Sequence, residues 1–310
     1  MKVIPIVFAF DNNLILPACV CISSLLMHAH KDTFYDIFIL HSEKEKLKRE
    51  QLDRLPQYYP NCRIQYRPVD DTFDSAFEIR GITTPAYYRL LIPELILEYD
   101  KIIYSDVDVI FRSDLADFYL EIDLFDYYVA GVNSLSHLYY KKYYERKLHL
   151  DSKRIIYSGN IIFNSKKIRD DHIIAQFKKL AKNDYVFQDM DILNLVCKDK
   201  IKFLPPEFCL TTGISEANIY HKDSILNIWK QEELCKALEN GTIHYNGQKP
   251  WQQYCIHFDI WWEYYRKSPF FDEKFYFDFF YYRLNVLDQL SLWKRIKILI
   301  RYFVYGKRVI

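Results

Sequence analysis

Two carboxylates spaced i and i+2, Asp106 and Asp108, interrupt an apolar run that starts at Ile102 and resumes at Val109. If a strand continues through them, both point to one face and can share a cation. If the strand ends there, they sit at its carboxyl end, where open α/β sheets bind ligands. Hard oxygen ligands of this kind suit Mg2+ or Mn2+ shared with a phosphate. A strand ending in a solvated turn explains the same residues, so the chemistry needs further partners. A second pair, Asp189 and Asp191, opens a helical pattern in Gln188-Asp189-Met190-Asp191-Ile192-Leu193-Asn194. Its carboxylates diverge by about 200° at helical pitch and cannot form one site. They can complement the helix dipole, or Asp189 alone can face a cleft.

Further along, Thr242-Ile243-His244-Tyr245-Asn246-Gly247-Gln248-Lys249-Pro250-Trp251 reads as a short strand carrying His244 into a loop. A lone histidine is an ordinary polar residue. This one precedes what a pyrophosphate site needs: Gly247 for close backbone approach, Lys249 as a point charge and Trp251 to stiffen the loop. Arg89, on a mostly apolar helical stretch with Leu90, Leu91 and Leu95, either snorkels to the surface or is buried and paired. His28 and His30 have the wrong spacing to share a helix face. No G-x-G occurs among the seven glycines, which argues against dinucleotide-binding and P-loop readings. A nucleotide diphosphate would have to be held by a cation and side-chain charge.

The elements that must position these groups follow from pattern. Val3 to Phe10 is a continuous apolar run, as in a buried parallel strand, and ends at Asp11-Asn12-Asn13. A helix follows, with Leu14, Ala18, Cys21, Ile22 and Leu25 on one face. Strands are expected at Asp36–Leu40, Cys62–Tyr66, Tyr127–Val132 and Ile161–Phe163. Helices are expected over Ser42–Leu55 with Ser42 as cap, Thr84–Leu97 with Pro85 in the first turn, Asp114–Leu120, Leu138–Leu148, Lys166–Ala181, and within Lys222–Glu239 before Asn240-Gly241. Gly159, before Ile161–Phe163, marks a bulge or a close backbone approach. Strand–helix alternation up to Asp108 predicts an α/β fold with a mostly parallel sheet.

The 310 residues make one large or two modest domains. Formal charge is +1, which points to neither nucleic acid nor membrane globally. The charge is uneven: residues 285–310 hold six basic residues and one acidic, or +5, leaving −4 elsewhere. At helical pitch Leu292, Ile296, Leu299, Ile300 and Phe303 share a face opposite Lys294, Lys297 and Arg301, flanked by Tyr302 and Tyr305. That pattern fits a helix lying on an anionic bilayer, or one packed on the main domain with a solvated basic face. The 27 Tyr and 22 Phe exceed what a core alone needs, and aromatic faces also stack on pyranose rings. Seven scattered cysteines without C-x-x-C read as reduced thiols in the cytosol. Leu16-Pro17-Ala18-Cys19 looks like a lipoprotein cleavage box, but Asp11-Asn12-Asn13 breaks the apolar region it would require. No uncharged run approaches the ~20 residues of a membrane span.

Together these stretches resemble glycosyltransferase family 8, the retaining GT-A group that includes glycogenin and bacterial lipopolysaccharide galactosyl- and glucosyltransferases. The resemblance rests on six pieces in order: Phe8-Ala9-Phe10-Asp11-Asn12-Asn13, Tyr87-Tyr88-Arg89-Leu90, Tyr104-Ser105-Asp106-Val107-Asp108, Ser158-Gly159-Asn160-Ile161-Ile162-Phe163-Asn164, Gln188 to Asn194, and His244 to Trp251. It implies a GT-A, Rossmann-like mixed sheet flanked by helices over residues 1–270, with a helical, basic, aromatic extension over 271–310. It also implies that Asp106, Asp108 and His244 bind Mn2+, with Mg2+ as the substitute, bridging the diphosphate of a UDP-sugar. Asp11 and Asn13, with Phe8, Ala9 and Val107, would meet the nucleotide. Gly247 and Lys249 would hold the phosphates, and Arg89 and Asp189 the hexose hydroxyls.

Three positions depart from the family pattern. Leu14 stands where an aromatic often stacks on uracil, and Tyr157 where an asparagine usually meets the donor sugar. Met190 stands where the lipopolysaccharide enzymes place a glutamine beneath the anomeric carbon. A thioether is a poor nucleophile there, which favours front-face transfer through an ion pair. The resemblance implies transfer of galactose or glucose from a UDP-sugar to a saccharide or glycolipid acceptor in surface glycan synthesis, at the cytoplasmic membrane face. The alternative is a catalytically weak or inactive sugar-nucleotide or glycan-binding module at the membrane.

Overall fold

The apolar run at the start of the chain forms β1 (Lys2–Ala9), with Ile4 and Ile6–Phe8 fully buried, as expected of a strand covered on both faces. The computed structural model describes residues 1–74, 76–78, 84–285 and 289–305, without the side chains of Leu284, Tyr302 and Tyr305. β1 lies inside a seven-stranded sheet with β2 (Thr33–Ser42), β3 (Cys62–Val69), β4 (Lys101–Ser105), β6 (Val129–Asn133), β7 (Ile156–Asn164) and β8 (Ile201–Leu204), in the order β3-β2-β1-β4-β7-β6-β8. β7 runs antiparallel to both its neighbours; the other pairs are parallel. The sheet is thus mixed and mostly parallel, as expected. A separate three-stranded sheet joins β5 (Val109–Ile110), β10 (Ile243–His244) and β9 (Leu210–Thr211), in the order β5-β10-β9.

Three expected helices are corrected. Ser42–Leu55 is not a helix: β2 runs through Ser42, and helical turns begin only at Leu52–Arg54 and Leu55–Tyr58. Asn12 holds the intervening segment, donating to Glu45 Oε1 and the Lys46 carbonyl and accepting from the Lys48 amide. Leu138–Leu148 divides into Ser136–Tyr139 and a π-type turn, Tyr143–Leu148. There the adjacent Tyr143 and Tyr144 hydroxyls both donate to Asp191. Lys166–Ala181 divides into Ser165–Asp170 and Ile173–Leu180 at His172, whose φ of 54° is left-handed. Thr84–Leu97 is helical to Leu95, mostly as a 3-10 helix (Thr84–Leu91). Helices Ile15–His28, Ala116–Glu121, Gln188–Cys197 and Gln231–Asn240 lie where pattern placed them.

The chain divides into two compact units, Met1–Phe270 and Phe271–Ile310. The second contains helices Glu273–Asn285 and Leu292–Tyr305. All seven cysteines are free. Among the described residues, no helix is long and apolar enough to cross a membrane.

Candidate active site

β4 ends at Ser105, so Asp106-Val107-Asp108 turns out of the large sheet at its carboxyl end before β5 begins. The small sheet then brings a distant segment to this turn. His244 pairs with Val109 across β10 and β5, and the Tyr245 amide donates to the Asp108 carbonyl at 2.9 Å. His244 Nε2 lies 3.0 Å from Asp108 Oδ1 and 3.6 Å from Asp106 Oδ2. One donor atom from each of Asp106, Asp108 and His244 lies within 4.8 Å of the others.

The polar shell around His244 presents Nε2 to this cluster. Its Nδ1 faces Asn160 Oδ1 at 2.8 Å. Asn160 Nδ2 donates to Ser105 Oγ, and Ser105 Oγ donates to the Asp106 carbonyl. With Nδ1 turned to Asn160, Nε2 is the ring nitrogen directed at the two carboxylates, and it is the atom that would offer a lone pair to a cation bound there. Metal-binding histidines are commonly oriented in this way. Two carboxylate oxygens and an imidazole nitrogen form a donor set that fits Mn2+ or Mg2+. Cys209 Sγ lies 3.4 Å from Asn160 Oδ1. Burial, then Asp106 and Asp108, pushes its pKa up, so it stays a thiol rather than a thiolate ligand.

The remaining charges are arranged in two groups. Lys249 Nζ contacts Asp108 Oδ2 and donates to the Tyr245 carbonyl at 2.6 Å. Burial alone would raise the Asp108 pKa, but Lys249 and His244 override it and hold the carboxylate well below its ordinary range. Trp262 Nε1 donates to the Pro250 carbonyl, and Trp251 packs on Trp261 at 5.3 Å, which stiffens the Lys249 loop. Gly247 is exposed in that loop, and a Cβ there would meet no atom within 4 Å.

Arg89 is buried and paired. It donates to the Ala86 carbonyl, to Ser158 and to Asp106 Oδ1, lies 3.2 Å from Asp189 Oδ2, and stacks on the Tyr104 ring at 4.4 Å. Tyr104 donates to the same Asp106 oxygen at 2.6 Å. Asp189 accepts from Ser158 Oγ at 2.8 Å. Burial raises its pKa to about 6, with Arg89 and Ser158 only partly opposing. Asp191 turns away to Tyr143, Tyr144 and the Phe187 amide, as the helical divergence predicts.

Other singled-out residues are placed less directly. Asp11 accepts from the Asn13 amide at the end of β1, and both leave the sheet at the same edge as Asp106. Asp11, with Phe10 and Asn12, lines a cleft of about 210 Å3 reaching His41, Thr84 and Tyr88. The Phe8 side chain is wholly buried, and Ala9 and Val107 nearly so. Met190 is 8 % exposed and packs with Tyr144, Leu150, Ile155 and Tyr157. The Tyr157 ring stands edge-on to His244, its hydroxyl 3.5 Å from Nε2. Ser158, Gly159 and Asn160 have specific structural partners that motif reading alone did not assign. Polar residues entering an otherwise apolar strand were the available signal, because buried polar groups require partners.

This sheet matches the GT-A fold seen in the galactosyltransferase LgtC bound to donor and acceptor sugar analogues, with a TM-score of 0.70 at 22% identity over 87% of this chain and 98% of that one. Residues 5–255 match the model of glycosyl transferase family 8, and the chain belongs to that family. It is therefore a glycosyltransferase. Relatives include glycosyltransferase GlyF of Streptococcus pneumoniae, 28% identical over 84% of this chain and 60% of its own length. Another is lipopolysaccharide 1,2-glucosyltransferase of Escherichia coli K12, 24% identical over 86% and 79%. The bifunctional glycosyltransferase WbbM has a TM-score of 0.70 at 24% identity, and the chain covers 51% of it. The chain thus spans about half of WbbM and 60% of GlyF.

Proposed function

We propose that the protein transfers galactose or glucose, with retention, from a UDP-sugar to a saccharide acceptor of a surface glycan. The observation that carries this reading is the Asp106–Asp108–His244 cluster with Lys249 against it. These three residues would hold Mn2+, or Mg2+ in its place. Bound there, the cation would supply Lewis-acid stabilisation of charge developing on the diphosphate. Lys249 adds a point charge for the phosphates, and Gly247 leaves open space beside it. Asp11 and Asn13, at the end of β1, meet the base and its neighbouring groups; Phe8, Ala9 and Val107 contribute main chain. Asp189 and Arg89 hold the hexose hydroxyls, with Arg89 also fixing Asp106 and Asp189 in place.

Met190, assigned beneath the anomeric carbon, is packed in an apolar cluster and offers no nucleophile. Transfer then proceeds on the front face: the bond from the anomeric carbon to the UDP oxygen breaks, and the acceptor oxygen bonds to that carbon. The departing phosphate oxygen takes the acceptor's proton. The test is UDP release from UDP-galactose and UDP-glucose with and without Mn2+. No turnover together with no metal-dependent UDP binding refutes the reading.

One observation favours a second reading, a sugar-nucleotide binder without turnover. The Tyr157 hydroxyl stands 3.5 Å from His244 Nε2, beside the atom offered to the cation. Calorimetry showing UDP-sugar binding with no transfer to any acceptor in a broad panel supports it.

The helix Leu292–Tyr305 supports a place on an anionic membrane face. Trp293 and Phe303 are each 80 % exposed, and Leu292, Leu299 and Ile300 are also exposed, alongside Lys294, Lys297 and Arg301. Apolar residues with a basic opposite face are what an interfacial helix requires. Tyr302 and Tyr305, named with this face, have side chains outside the described residues.

A further inference from the structure

A second and larger cavity, about 650 Å3, lies between the ends of β6 and β8 and the segment Ser224–Glu233. That volume falls in the range of small-ligand sites. β6 runs with β4, since both are antiparallel to β7, and β8 is parallel to β6. The cavity therefore opens at the same sheet edge as Asp106. Asn133, on its wall, pairs with Ile156, the residue before Tyr157.

Its lining has a definite chemical character. Lys153, Arg154 and His137 belong to the lining. Among the described residues, neither Lys153 nor Arg154 has a side-chain ion pair within 4.0 Å, although the Arg154 guanidinium lies 5.5 Å from the Phe203 ring centre. His137 Nδ1 is hidden from solvent and has no hydrogen-bond partner among the described residues. Burial, then Lys153, lowers the pKa of that imidazole despite an opposing effect from Asp151. The one acid of the lining, Glu233, is engaged at a helix start, where it accepts from the Lys230 amide at 2.7 Å. The lining also holds apolar and aromatic residues, among them Trp229, Ile228, Leu204 and Pro205. Aromatic and apolar faces accept the flat side of a pyranose, and the unpaired cations accept a phosphate or carboxylate.

We propose that this cavity binds an anionic saccharide, one whose sugar carries a phosphate or carboxylate group. The site is separate from the cation cluster and goes beyond the donor-transfer reading, since occupancy does not require turnover. Two sources offer this chemistry, a charged unit within a longer glycan and a free sugar phosphate.

The test is calorimetry with saturating UDP and Mn2+, so that the proposed donor site is filled. The probes are glucose 6-phosphate and a phosphorylated trisaccharide, each with its uncharged parent. Both the wild type and Lys153→Gln/Arg154→Gln are titrated; the two side chains are exposed, so the fold should survive. The phosphorylated probes should bind the wild type, their parents far more weakly, and the variant about tenfold or more weakly, as expected for lost charge-assisted hydrogen bonds. Tighter binding of the trisaccharide assigns the site to a glycan, and binding of glucose 6-phosphate alone assigns it to a free sugar phosphate. Ser224→Trp, which adds bulk at another lining position, should weaken binding as well. No binding at millimolar concentration, or equal binding by the wild type and both variants, overturns the proposal. Thermal stabilisation by UDP and Mn2+ is measured separately on each variant. Its loss in the wild type as well would count against the donor-site reading and leave the cavity result to stand by itself.

Discussion

A single methyl group at position 159 should dismantle the cation cluster. A Cβ there would lie 2.2 Å from His244 Cε1, 2.6 Å from Tyr157 Cε1 and 2.7 Å from Asp106 Oδ2. Ordinary contact begins at 3.4 Å, so the imidazole would have to retreat by about 1.2 Å, the difference between 3.4 and 2.2 Å. None of the three neighbours gives easily. His244 is buried and tied to Asn160, Tyr157 packs against it, and Asp106 is held by Arg89 and Tyr104. Overpacking a site of this kind costs about 1–3 kcal/mol. Disturbing the groups that orient metal ligands costs about 10- to 100-fold in metal affinity. Gly159→Ala should therefore melt at lower temperature and bind Mn2+ about tenfold or more weakly by calorimetry, with UDP-sugar turnover falling in parallel. Gly213→Ala is the control, because its Cβ would meet only Thr211 Oγ1 at 3.8 Å. Unchanged Mn2+ affinity in Gly159→Ala would refute the assignment of the cation to this triad.

Asp106→Asn/Asp108→Asn should abolish metal-dependent UDP release while the circular dichroism spectrum stays that of the wild type; surviving activity would show the metal assignment to be wrong. Arg89→Met leaves Asp106 and Asp189 without their shared partner, and breaking a buried pair costs about 3–5 kcal/mol, which urea unfolding would read. The Asp189 pKa, raised to about 6 in the fold against an ordinary 3.8, makes its contribution to stability full below about pH 4 and lost as pH rises through 6. Asp189→Asn should accordingly flatten the decline in urea midpoint between those values in metal-free protein, and an unaltered slope would place the titration elsewhere. Removal of residues 291–310 should abolish binding to anionic vesicles and spare UDP release with a soluble acceptor; vesicle binding that persists would refute the interfacial role of the helix.

The fold was legible where a residue pattern had one physical outcome. Residues 3–10 could be a buried parallel strand because continuous apolar runs of that length have few alternatives. The divergence of Asp189 from Asp191 followed from helical pitch and is visible in their separate partners. Legibility failed where long-range polar contacts decide local structure. Helix Ser42–Leu55 satisfied amphipathic periodicity, yet three hydrogen bonds with Asn12, two donated and one accepted by its side chain, hold the segment differently. The two readings of Arg89 could be separated only by its burial between Asp106 and Asp189. For Gly159, spacing could suggest close approach, but the atoms approached, His244 and Asp106, come from other segments.

The small sheet formed by Val109–Ile110, Leu210–Thr211 and Ile243–His244 also sets an order of assembly. A nascent chain complete through residue 204 already contains all seven strands of the large sheet and both carboxylates of the first acidic pair. It lacks His244 and Lys249. Synthesis proceeds from the amino end, so most of the hydrophobic core can be built before the cation cluster can close. Uptake of the proposed cation would then report a finished molecule, and mass-action stabilisation by it would favour chains in which the distant segments carrying Asp106 and His244 have already met.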